Sequence, residues 1–249
     1  MKIVFSFDDG RADFIESSKI LSKYGLVGTF HITTGFIDGS FKTDAFGIDR
    51  KPLTIQELQQ MKKEGMEISS HGDKHVMTSA DFNESLRKLK EWGLIDNNRV
   101  GFSIPNSKYS AEELEDFICI NKNSLLYVRG GRSPKCYSFI SKVNYVFYRF
   151  LKFQGAYNSF NKYNLNDNLA GKVIYSAVIT KNVKYKNLIS FINKHKKEDK
   201  VLVLMFHSVV DVPNNKWEYS KTDFETICKF VSNCKEIENG TIVSLLSKN

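Results

Sequence analysis

Short apolar runs alternate with helix-start signals along nearly the whole chain, and that alternation limits the possible folds more than any other feature. The runs are Ile3–Phe7, Val27–Ile32, Glu67–Ser70, Arg99–Ile104, Leu125–Arg129, Val173–Val178, Val201–Phe206 and Thr241–Leu245. Helical segments with recognisable starts stand between most of them. Thr54-Ile-Gln-Glu57, Ser110-Ala-Glu-Glu113 and Thr222-Asp-Phe-Glu225 fit the capping box, in which a hydroxyl and a Glu side chain satisfy orphan amides reciprocally. Gly25 and Gly65 fall where a left-handed residue closes a preceding helix. Short strands separated by helices imply βα units and a parallel sheet.

Eight such strands in 249 residues predict one α/β domain over residues 1–249, a distorted (β/α) TIM-like barrel with seven to eight parallel strands. A doubly wound open sheet has the same alternation. The barrel is favoured because polar residues follow the C-terminal ends of several runs: Asp8 and Asp9 after the first, His71 and His75 after the third, His207 after the seventh. Strand ends converge on one rim in a barrel, so residues from non-neighbouring strands meet there. Two stretches read less clearly. Thr34–Leu53 is a long loop with Gly35, Gly39, Gly47 and Pro52; Tyr137–Gly171 has helical spacing in its first part and loop character from Asn158 to Asn168.

No apolar stretch approaches the roughly 20 residues of a membrane span, and the N-terminus reads as a strand rather than a basic, then apolar, leader. Cys119, Cys136, Cys228 and Cys234 form no C-x-x-C pair, which suits free thiols in a reducing compartment. A cytoplasmic protein is expected, with peripheral membrane contact compatible. The net charge of +8 is accounted for by solvated lysine runs, or by an anionic partner such as an acidic glycan, a nucleotide or a phospholipid surface. No nucleic-acid partner is expected.

One carboxylate and two imidazoles form a ligand set for a divalent transition metal, and a second carboxylate is then free to act as a base. Each part has a plainer reading. Asp8-Asp9-Gly10 is a turn sequence, or the metal-binding pair of a sugar-nucleotide transferase. His71 and His75 stand one helical turn apart, as in H-E-x-x-H proteases, but Gly72 replaces the protease Glu. His207 is a hydrogen-bonded core group or a general acid at the rim. His31 suits packing behind the site, and His195 a solvated lysine run. Trp217 floors a sugar site or anchors its loop, as do Tyr109 and Tyr219.

At these residues the chain resembles the polysaccharide deacetylase family of carbohydrate esterases, the NodB-homology group. Phe5-Ser-Phe-Asp-Asp-Gly10 is similar to its first motif, Ser70-His-Gly-Asp-Lys-His75 to its second, Gly101-Phe-Ser-Ile-Pro105 to its third and Leu202-Val-Leu-Met-Phe-His207 to its last. Val27–Ile32 resembles its second strand. The resemblance implies metal-dependent hydrolysis of an acetyl group from an N-acetylated amino sugar, at a carbon–nitrogen amide bond. It implies Asp9, His71 and His75 as ligands of one divalent metal, zinc first, with cobalt, nickel or iron as alternatives. Asp8 would be the base, His207 the acid, and a backbone amide near Asn106 an oxyanion donor. The implied substrate is a carbohydrate, free or linked to a lipid or nucleotide.

The chain departs from the family at Ser103, where many members have an Arg that orients the base, and at Pro105-Asn106-Ser107, where they have Pro-Tyr-Gly. Arg129 or Arg132, after the next candidate strand, is expected to supply the missing charge; both are otherwise ordinary loop charges. The family's fourth-motif Asp and Trp have no clear counterpart in Tyr137–Gly171. Two rivals stand beside the deacetylase: a non-catalytic sugar- or metal-binding relative on the same fold, and a glycosyltransferase using the Asp pair.

Overall fold

The computed structural model describes residues 1–44, 46, 50–151, 153–170 and 173–247; Gly47 and Gly171 of the two loop expectations lie outside them. In Lys2–Asp9 (β1) successive side chains alternate faces. Ile3, Phe5 and Phe7 enter one apolar cluster with the helices, while Val4 enters a second cluster inside the curled sheet. A strand buried on both faces must be central. Accordingly β1 pairs in parallel with Gly28–Ile32 (β2) on one side and with Val201–Phe206 (β8) on the other.

The order outward from β2 is Glu67–Ser70 (β3), Val100–Ser103 (β4) and Leu125–Arg129 (β5). Beyond β8 lie Leu165–Asn166 (β6), which runs antiparallel, and Ala177–Val178 (β7), which is parallel. Seven parallel strands thus form a curled half-barrel, the predicted distorted (β/α) barrel. Its outer face carries the helices Phe14–Lys23 (α1), Ile55–Lys63 (α3), Ser79–Glu91 (α4), Ala111–Asn121 (α5), Tyr185–His195 (α8) and Lys221–Asn233 (α9). Thr34–Asp38 (α2) begins the long loop, and Phe139–Leu151 (α6) and Gln154–Asn161 (α7) follow β5. A short parallel pair, Ser208–Val210 (β9) with Glu218–Ser220 (β10), edges the rim after β8. Phe7 stacks on Phe30 at 4.5 Å and meets Phe14, Phe206 and Phe224 edge-on or stacked. Each fully buried Phe contributes roughly 1.5–3 kcal/mol relative to exposure.

The capping boxes at Thr54 and Ser110 form as read. That at Thr222 does not: α9 starts two residues earlier than that box implies, with Ser220 as cap, and Glu225 pairs with Lys23 and Tyr24 instead. Gly25 and Gly65 adopt φ of 66° and 89° at their helix ends. Thr241–Leu245 was expected as a strand and is a helix, Ile242–Leu246 (α10). Its β-branched start mimics a strand, but tertiary partners override it: Thr29 Oγ1 accepts the Ile242 amide at 3.0 Å and Glu67 that of Val243 at 2.9 Å. Ile242 and Leu245 then fill the barrel floor beside Val4 and Val203. The strand contact to β1 is made by Glu238–Asn239 (β11). The predicted strand Val173–Val178 shrinks to β7 and one bridge from Ile174 to Arg129. Within Asn158–Asn168, read as loop, α7 continues to Asn161 and β6 follows.

Candidate active site

The inward alternation of β1 brings Asp8 to the mouth of the barrel, and the strand ends with Asp9 at φ 91° and Gly10 at φ 95°. A left-handed Asp is uncommon, and this turn lets adjacent carboxylates line one cleft of about 220 Å³. Among the described residues the non-glycine positions with positive φ are Asp9, His75, Asn106 and Ser107, and all four line that cleft. Backbone strain of this kind costs on the order of 1–3 kcal/mol per residue and gathers at functional sites.

Asp8 is buried and meets the Arg129 guanidinium, which also donates to Ser103 Oγ; Ser103 Oγ lies 3.4 Å from Asp8. Ser103 and Arg129 are register partners on adjacent strands. The positive charge therefore reaches Asp8 from β5, one strand beyond the position where the resemblance puts it. Burial alone would raise the Asp8 pKa, but Arg129, with His71 and His31, holds it well below the usual carboxylate range. Arg132 is not this partner: its guanidinium lies 5.3 Å over Tyr145 and 5.1 Å over Phe160, at the edge of the cleft.

Asp9, His71 and His75 present one donor atom each within 4.8 Å of one another. The His71 and His75 Nε2 atoms are 3.1 Å apart, and they lie 3.6 and 3.9 Å from Asp9 Oδ1. The helix expected for the histidine pair is absent. Residues 71–75 form an irregular loop that turns at Gly72, φ 82°, where a Cβ would strike Asp81 Oδ2 at 2.2 Å. Asp81, in the first turn of α4, accepts amides from Asp73, Lys74 and Val76 and fixes the loop. His71 Nδ1 lies 2.9 Å from the Ser103 carbonyl oxygen, a partner that can only accept. Nδ1 therefore carries the proton and Nε2 offers its lone pair to the cluster. Burial lowers the pKa of both histidines, keeping them in the neutral form a metal needs. Burial, opposed by Arg11 and reinforced by Asp8, pushes Asp9 up to about 7. Two neutral imidazoles facing a carboxylate destabilised by burial form a donor set that fits a cation.

His207 follows β8 and lines the same cleft, its ring 4.6 Å from that of Trp217. Its Nδ1 is buried without a hydrogen-bond partner, and burial, against the pull of Asp8, lowers its pKa to about 4. Asn106 and Trp217 line the cleft, and Pro105 starts the turn that carries Asn106. Tyr219 is 1% exposed in the core against Phe206, so it floors no site. Tyr109 packs against the core and does not line the cleft. His195 is not solvated as expected: it pairs with Glu198 and lies on Phe191.

Three features escaped the sequence reading. Arg11 donates to Asp9 Oδ2 at 2.8 Å; its place directly after Asp-Asp-Gly was the available signal. Phe46 meets His75 edge-on at 5.0 Å. Beneath Asp8, His31 lies 3.6 Å away, behind the site as read, but its link to Tyr127 at 3.1 Å, which donates to Glu67 at 2.5 Å, was missed. Tyr127 occupies the space that Gly101 vacates, since a Cβ there would lie 2.0 Å from its ring.

The chain matches the family model described as Polysaccharide deacetylase over residues 1–132. Nothing matches among curated proteins. Among solved structures, the Bc1960 peptidoglycan N-acetylglucosamine deacetylase aligns at TM-score 0.55 with 11% identity, covering 99% of this chain and 88% of that one. A family 4 acetyl xylan esterase from Clostridium thermocellum, in complex with a cobalt ion, aligns at TM-score 0.54 with 13% identity, covering 100% and 91%. The Streptococcus pyogenes deacetylase PplD, in complex with acetate, aligns at TM-score 0.42 with 20% identity over 52% of this chain, which spans 56% of that relative. The two fuller alignments share the fold, and the family model covers more than half of the sequence: the chain belongs to the polysaccharide deacetylase family.

Proposed function

We propose that the protein is a metal-dependent hydrolase that removes the acetyl group from an N-acetylated amino sugar, free in a glycan or carried on a lipid or nucleotide. The observation that carries this reading is the separation of roles in one cleft. Three donors converge at Asp9, His71 and His75, while the adjacent Asp8 is held ionised outside that set by Arg129.

Asp9, His71 and His75 would hold a divalent cation, zinc first, with cobalt, nickel or iron fitting the same donors, and the bound cation supplies Lewis acidity toward the acyl oxygen and toward water. Asp8 accepts the proton of the attacking water. The Arg129 pairing keeps Asp8 ionised and also weakens it as a base, so it suits a strongly polarised water. The backbone amide at Asn106 serves the developing oxyanion, an interaction worth about 3–4 kcal/mol. His207, neutral in the resting protein, takes up a proton from solvent as negative charge builds in the cleft and passes it to the departing amine, while Asp8 returns the water's proton to solvent as acetate leaves. Trp217 offers an indole face to the sugar ring.

Acetate release from N-acetylated amino-sugar oligomers tests the reading. Release that a chelator abolishes and Zn²⁺ or Co²⁺ restores is expected. A protein that binds one metal ion tightly yet releases no acetate from any sugar would be the non-catalytic relative instead.

A further inference from the structure

Of fourteen large hydrophobic residues exposed among the described residues, nine lie between Tyr137 and Phe153. They are not scattered. Phe139, Ile140, Val143, Phe147, Phe150 and Leu151 form one stripe along α6, with Phe139 82% and Phe150 74% exposed, and Val146 extends its edge. The residues that α6 turns inward are Ser141, Tyr145 and Tyr148. The helix is therefore amphipathic in reverse, with its more apolar face toward solvent. A contiguous apolar face of this kind marks an interaction site.

Charge selects the occupant. From Ser133 to Asn166 the sequence has five lysines or arginines and no Asp or Glu. Lys142 and Arg149, seven residues apart and both exposed, follow one edge of the stripe. At 13 residues α6 is too short to cross a bilayer, but an apolar face of Phe, Leu and Ile bordered by basic side chains is the pattern of a helix lying in the membrane interface. A second copy of this chain would bring the same uncompensated positive charge against itself. We propose that the outer face of α6 docks on an anionic lipid surface, with the phenylalanines among the acyl chains and Lys142 and Arg149 among the headgroups. Arg132 and Tyr137, which precede the helix, line the catalytic cleft, so docking brings the cleft to the membrane surface. The docking stands whether or not the cleft hydrolyses an amide.

Sedimentation of the full chain with vesicles tests it, using phosphatidylcholine alone and phosphatidylcholine mixed with phosphatidylglycerol. The protein is expected to pellet with the mixed vesicles, far less with the neutral ones, and less at high salt. Phe147→Ser/Phe150→Ser and Lys142→Glu/Arg149→Glu are each expected to weaken binding by about tenfold or more, with melting temperature and gel-filtration volume unchanged. Protein that stays in solution with both vesicle types overturns the proposal. So does equal binding to neutral and anionic vesicles, or a concentration-dependent dimer that Phe150→Ser dissolves without any vesicle binding.

Discussion

The rim of the barrel and the outer face of α6 break the ordinary partition of residues in opposite ways. At the rim, Asp8, Asp9, Arg11, His71 and Arg129 are almost fully buried, and burial is tolerated because each finds a charged or hydrogen-bonding partner. Along α6, large apolar side chains meet solvent with none. Stability at the rim depends on internal pairing, whereas α6 takes its stability from Tyr145, Tyr148 and the neighbouring α7 and leaves its outer face free. Substitutions should therefore separate the two cleanly.

The largest effect is expected at the unligated carboxylate. Asp8→Asn should lower acetate release by about 10²–10⁴-fold while metal content, measured on the purified protein, stays the same. His71→Ala should lose both. Next, Arg129→Ala leaves Asp8 buried and unpaired, which costs about 3–5 kcal/mol, a drop of many degrees in Tm. Asp8→Asn in the same background should recover part of the loss. If single and double variants melt together, the charge on Asp8 is satisfied elsewhere.

A smaller effect concerns pH in the metal-free protein. Burial lowers His31 to about 3 and His207 to about 4, and lowers His71 and His75 as well. The unfolded chain takes up protons near pH 6.5 that the folded chain refuses, so stability falls as pH drops from about 6.5 toward 4, by up to about 1.4 kcal/mol per unit for each proton. Asp9, raised to about 7, acts in the opposite sense, since the folded state keeps a proton that the unfolded state releases above about 4. Four groups outweigh one, and a net loss on acidification is expected; His207→Gln should flatten the slope of Tm against pH. The smallest effect belongs to α6: Phe147→Ser should change stability by within about 0.5 kcal/mol. A loss of several kcal/mol would mean that the face is covered within the molecule.

How far the sequence could be read follows the range of the interactions involved. Strands such as Leu125–Arg129 and the caps at Thr54 and Ser110 rest on local pattern, and they were legible. The five residues from three motifs, Asp8, Asp9, His71, His75 and His207, were named from spacing and resemblance, and the fold gathers them in one cleft. What stayed hidden depends on contacts distant in sequence. The start of α10 is held by Thr29 and Glu67. The His71–His75 loop is shaped by Asp81 rather than by helical periodicity. The choice between Arg129 and Arg132 turned on strand register, which no local pattern encodes.

That register has a consequence for how such chains are sorted. Ser103 and Arg129 face each other across one rung of the ladder, so a guanidinium anchored on either strand can arrive at the same carboxylate. The ion pair belongs to a point in space that two alignment columns can serve. A search that demands arginine in the first column would miss the guanidinium that meets Asp8 from the neighbouring strand. The reciprocal exchange, Ser103→Arg with Arg129→Ser, becomes a natural transplant for asking whether the two addresses are equivalent.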